Sequence, residues 1–72
     1  MRISRDKVLE LRDMYPKGTR VRLDFMDDRQ APPVGTEGTV TNVDDVGTIH
    51  VRWDNGCGLG VAYGVDWCTK IS

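Results

Sequence analysis

The sequence predicts a mainly β protein, an SH3-like five-stranded small barrel with an N-terminal α-helix in front of it. Two observations carry this. Apolar residues recur every third or fourth position before Gly18 and every second position after it, a change from helical to strand spacing. Turn-forming clusters then cut the β-rich part into short runs, too few for a sandwich but enough to close a small barrel that removes its own edges. At 72 residues the chain has the size of one domain, with residues 1–16 as the helix and 17–72 as the barrel.

The helix comes first. Ser4 is a good N-cap, Asp6 falls in the first turn where the helix dipole favours it, and Ile3 with Val8 has the spacing of a hydrophobic staple. Val8, Leu11, Met14 and Tyr15 make one apolar stripe, and Pro16 with Gly18 ends it. A helix of about eleven residues is marginal alone, so the stripe is expected to pack over one open end of the barrel.

The strands follow. In Arg20-Val21-Arg22-Leu23-Asp24-Phe25 apolar and charged residues alternate strictly, which points Val21, Leu23 and Phe25 inward. Residues 26–36 show neither periodicity, and Pro32-Pro33 excludes a central strand, so this is a long loop of the kind that carries function. Residues 37–43 and 48–53 read as a hairpin joined through Asp44-Asp45-Val46-Gly47. Ile49, Val51 and Trp53 share the inner face there, and His50 and Arg52 the outer. Asp54-Asn55-Gly56 turns the chain into a fourth strand with Leu59, Val61 and Tyr63 at period 2. Gly64-Val65-Asp66 breaks it again before an edge strand over residues 67–71.

Composition limits the function classes. The chain is 39% hydrophobic and 29% charged, which excludes a disordered tail. No apolar run approaches the roughly 20 residues of a membrane span, and the first residues lack the apolar stretch of a signal peptide. A cytoplasmic protein without membrane contact is expected. The net charge of −1 is uneven: seven basic and three acidic side chains lie in residues 1–23, three basic and eight acidic in the rest. With a pI near 5.6, nucleic-acid binding requires the basic half to form one face.

Catalytic readings find little to work with. Cys57 and Cys68 read as free thiols ahead of a disulfide or half of a zinc site, since the chain has one histidine and no paired C-x-x-C. His50 is the only imidazole and faces outward, so no base is positioned for either thiol. Asp27-Asp28 and Asp44-Asp45 read as turn residues whose side chains bond nearby backbone. Residues 56–60 are glycine-rich, but strands rather than a helix follow, which makes them a wide turn and not a phosphate cradle. No catalytic residue, metal or cofactor is expected.

Binding readings fit better. Of five aromatic residues, Phe25, Trp53, Tyr63 and Trp67 stand near strand ends or breaks, with Trp53 assigned to the core and Trp67 to the surface. The expected function is non-catalytic binding of a protein or peptide whose identity the sequence does not specify. Asp27, Asp28, Arg29, Tyr63 and Trp67 are its expected contacts, with residues 26–34 as one wall of a groove. The alternative is nucleic-acid binding through Arg20 and Arg22, aided by His50 and Arg52. Oligomeric state is left open.

Several segments carry a resemblance. Gly18-Thr19-Arg20-Val21, Met26-Asp27-Asp28 with Ala31-Pro32, residues 35–40, Val43-Asp44-Asp45, residues 47–56 and Gly64-Val65-Asp66 together resemble a small domain-of-unknown-function family. Its members are short proteins of phages, mobile elements and Gram-positive bacteria, so the resemblance implies a genomic setting but no activity. More distantly, the order G-x-R-V, G-T-V, V-x-W-D-x-G and G-x-D is similar to the Mind bomb-type SH3-like domain, which binds peptide segments. Residues 27–33 stand where that domain has an aromatic and glycine-rich insert. The G-x-x-G-T-V piece resembles the KOW motif of ribosomal and transcription-elongation proteins.

Overall fold

The computed structural model describes residues 3–72, so Met1 and Arg2 of the expected helical stretch lie outside the described residues. Helix α1 spans Arg5–Met14. Ser4 caps it in extended conformation, its hydroxyl oxygen accepting the Lys7 N–H at 3.2 Å, and Asp6 lies in the first turn. The Tyr15 N–H donates to the Leu11 carbonyl at 2.8 Å and closes the last turn just before Pro16.

Five strands form one antiparallel sheet: β1 Arg20–Phe25, β2 Glu37–Val43, β3 Thr48–Trp53, β4 Val61–Ala62 and β5 Trp67–Lys70. Their order is β4-β3-β2-β1-β5, so β1 lies between β2 and the last strand. The mainly β architecture with a helix in front is as expected. The hydrogen-bonded ring, however, is not closed, because no ladder joins β4 to β5 among the described residues.

The core gathers Val21, Leu23, Val40, Val51 and Trp53 from the inner face, with Leu11 of α1 added from one end. Trp53 is only 1% exposed, as its assignment to the core requires, and its indole N–H donates to the Leu59 carbonyl at 2.8 Å. Gly38 makes room for it. A Cβ at that position would stand 2.6 Å from Cγ1 of Val51, 2.8 Å from Cε3 of Trp53 and 2.9 Å from the Arg52 carbonyl oxygen. The helix is fastened to the hairpin by Arg12, which donates to the Val43 carbonyl at 3.0 Å and to Asp45 at 2.7 Å.

Three expectations need correction. Phe25 does not point inward: it is 47% exposed, because a register shift between Leu23 and Phe25 sets Asp24 as an extra residue in β1 and reverses the alternation beyond it. Met26 takes the buried place instead. The fourth strand is two residues long, so Leu59 and Tyr63 fall outside it, and Tyr63 is exposed in the following turn. In the helical stripe Val8 and Leu11 are buried, whereas Met14 is exposed and Tyr15 half-buried. A similar slip in β2, between Val40 and Asn42, returns Val43 to the core three positions after Val40.

Candidate functional site

The gap between β4 and β5 opens into a groove of about 460 Å³. One wall is α1 and its C-cap, including Lys7, Leu11, Met14 and Tyr15; the other is the β4–β5 turn and the start of β5, including Tyr63, Trp67 and Cys68. Residues 26–34, expected as the opposite wall, do not line it, because the helix occupies that side. The groove therefore exists because β4 stops after Ala62 and the chain turns sharply, with the N–H groups of Val65 and Asp66 both donating to the Ala62 carbonyl at 3.1 and 2.9 Å.

Asp66 holds this turn. It is 8% exposed, one carboxylate oxygen accepts the Asp27 N–H at 2.8 Å, and the other accepts the Ala62 N–H at 2.9 Å. One side chain thus ties the end of β4 to the loop that leaves β1. The sequence shows Asp66 only as part of a turn signal, since a donor 39 positions away leaves no local trace.

The aromatic side chains are set by that turn. Trp67 is 55% exposed and meets Phe25 with ring centroids 6.0 Å apart and planes inclined at 51°. The bulge that expels Phe25 from the core thus gives Trp67 a packing partner on the surface. Lys7 Nζ lies 5.2 Å from the centre of the Tyr63 ring and 3.2 Å from Glu10 Oε2. Its bond to Glu10 holds the ammonium above its usual range. Burial pushes the Tyr15 hydroxyl up. It also pushes the Cys68 thiol up to about 11, with Asp24 adding to it. Cys57 and Cys68 are both free.

Of the expected contacts, Tyr63 and Trp67 come together on the groove. Asp27 joins them through its backbone alone. Asp28 turns back on its own loop, its Oδ1 accepting the Gln30 N–H at 2.7 Å, and Arg29 is exposed there. Asp44 has the expected turn chemistry, accepting the N–H groups of Val46 and Thr48 at 3.1 and 2.9 Å. Asn55 caps the glycine-rich turn through the Cys57 N–H at 3.0 Å.

The basic residues on the outer face are largely neutralised. Arg20 grips Asp54 with two bonds of 2.9 and 2.6 Å and reaches Glu37 at 3.3 Å, contacts that raise its pKa and lower that of Asp54. Arg22 lies 3.6 Å from Asp24, whose other oxygen accepts the Thr69 hydroxyl. His50 Nε2 stands 2.8 Å from Asp44, an arrangement the alternating pattern of β3 did not disclose. Among the described residues, Arg52 alone of these four has no carboxylate against it. Desolvation opposes ionisation of Asp44, but the bond from His50 and the two backbone N–H groups hold its carboxyl below the usual range.

Residues 4–71 match the family described as "Domain of unknown function (DUF4314)". No curated protein matches the chain, and no solved structure does. No helix among the described residues is long and apolar enough to cross a membrane. The match spans nearly the whole sequence, and the chain belongs to this family.

Proposed function

We propose that this DUF4314 protein is a non-catalytic binding module that holds a segment of a protein or peptide between α1 and the β4–β5 turn. The observation that carries it is Trp67, more than half exposed beside Tyr63 and Met14 on a groove whose turn is fixed by a buried carboxylate. A small domain that leaves large aromatic side chains on a rigid concave surface presents the anchors that dominate interface energies. Proton-transfer chemistry has less support: the Cys68 thiol is pushed out of the neutral range, and His50 is turned to Asp44 on β3, with β2 and β1 between it and β5. Nucleic-acid binding is disfavoured by the carboxylates on Arg20 and Arg22. In the phage or mobile-element setting that the resemblance implies, the held segment belongs to a cytoplasmic host protein or to another product of the element.

The test is selection of random dodecapeptides displayed on phage against the immobilised chain. Enriched peptides are then titrated against the wild type and Trp67→Ala. Enrichment with at least tenfold weaker binding to the variant is expected. Equal binding by the two removes Trp67 from the site, and a mobility shift of mixed DNA or RNA at low salt moves the function to the outer face.

A further inference from the structure

One wall of the groove offers backbone as well as side chains. β5 pairs with β1 along one edge only, with Arg22 opposite Thr69 and Leu23 opposite Cys68. The Ile71 N–H donates to the Arg20 carbonyl at 2.9 Å, which sets the phase of that ladder. Because bonded and non-bonded positions alternate in antiparallel pairing, Thr69 turns its N–H and C=O toward β1. Cys68 and Lys70 turn theirs to the other side. On that side no ladder joins β5 to the two-residue β4 among the described residues. Cys68 also lines the groove, and the phase of the ladder turns its N–H and C=O away from β1.

The charges on this edge are equally specific. Inside the groove Lys7 is bound to Glu10, and Asp66 to the N–H groups of Asp27 and Ala62. A charged side chain laid there would lose water and gain no opposite charge. Lys70, two positions beyond Cys68, is exposed and has no ion pair among the described residues. We propose that β5 takes an extended peptide as a sixth strand, apolar where it crosses the groove opposite Cys68 and acidic two positions along, opposite Lys70. This rests on the groove being the peptide site and adds the mode of binding and the chemistry of the segment. Main-chain bonds to Cys68 and Lys70 supply affinity, and alternate side chains, which share one face at a spacing of two, supply selectivity.

The same dodecapeptide library tests it on the full chain. Enriched sequences should carry an apolar residue and an acidic residue two apart, and Lys70→Glu, an exposed change whose fold is checked by circular dichroism, should select a basic residue in the acidic place. On binding the tightest enriched peptide, amide exchange at Cys68 and Lys70 should slow at least tenfold while Thr69, already bonded to β1, stays unchanged. Trp67-dependent binding that leaves Cys68 and Lys70 exchanging freely overturns strand addition but spares the groove. No enrichment over a Trp67→Ala surface sinks both. Slowed exchange at Cys68 and Lys70 that rises with protein concentration without peptide, together with a dimer in light scattering, assigns the edge to a second copy instead.

Discussion

Replacing Asp66 by alanine separates the groove's anchor from the rest of the fold. Both carboxylate oxygens are used, on the Asp27 N–H at 2.8 Å and the Ala62 N–H at 2.9 Å, in a residue that is 8% exposed. A hydrogen bond to a charged group contributes about 1.5–3 kcal/mol, and a buried donor left without a partner costs about 1–3 kcal/mol. Asp27 is exposed, so water can reach its N–H; Ala62 is half-buried and its N–H is reached less easily. Taking about 1 kcal/mol for the first and about 3 kcal/mol for the second gives a loss of about 4 kcal/mol. A chain of this length has a total stability of about 4–11 kcal/mol, so the variant should be close to unfolding or have lost a large share of its margin. Urea unfolding followed by tryptophan fluorescence, to which both Trp53 and Trp67 contribute, measures it. Asp66→Asn sharpens the test, because an amide accepts one of the two N–H groups and presents its own N–H to the other; it should lose at least half as much as the alanine variant. A loss below about 1 kcal/mol for Asp66→Ala, or an asparagine variant as stable as the wild type, refutes the assignment of this carboxylate as the anchor.

Gly38→Ala should lower stability by about 1–3 kcal/mol in the same assay, because the added methyl meets Trp53 and the Arg52 carbonyl, and backbone cannot step aside; an unchanged midpoint contradicts the packing described. Cys57→Ser, which leaves Cys68 as the only thiol, should react slowly with an aromatic disulfide reagent at pH 8 and faster toward pH 11, and rapid reaction at pH 8 contradicts its burial. Because the folded thiol is raised, that group's contribution to stability is complete below the ordinary thiol range and is lost as pH rises to about 11. Asp44 behaves in the opposite sense: its folded carboxyl is depressed, so its contribution is present above the ordinary carboxylate value and disappears as pH falls through the folded one. Asp44→Asn should therefore flatten the decline in stability below about pH 4, and an unaltered acid limb counts against the Asp44 bonds.

Most of the fold was legible because it depends on local signals. Ser4 and Pro16 bound the helix, and the glycines at 18, 47 and 56 all adopt positive φ at the breaks that separate the elements. The hairpin from residue 37 to 53 has the bounds its alternation gives. What failed were places where one residue shifts the phase. Asp24 reads as the outer member of an alternating strand, yet as a bulge residue it reverses every position after it, and only pairing with β5 determines that. Tyr63 was not legible as a turn residue, because Leu59, Val61 and Tyr63 keep strand spacing although the ladder ends at Ala62. Charged partners were the least legible. Arg20 with Asp54 and Asp66 with Asp27 join positions far apart in sequence, and no periodicity carries that information.

These departures from regularity share a physical consequence. A five-stranded sheet of short strands could close by pairing β4 with β5, which would bury both edges and leave no groove. Here β4 ends after two residues, and β1 slips register where it meets the start of β5, so the ring stays open at that corner. Each departure gives up ladder hydrogen bonds, and each is offset nearby: the Asp66 carboxylate satisfies two of the freed backbone donors, Trp67 covers the expelled Phe25, and Leu11 of the helix fills the end of the core. The offsets are incomplete at Cys68 and Lys70, whose N–H and C=O groups turn away from β1, Cys68 lining the groove that the aromatic side chains also frame and Lys70 standing two positions beyond it. At half-buried Cys68 backbone without a partner is costly, and a strand supplied from outside is the addition that pairs it with the geometry already present in the sheet.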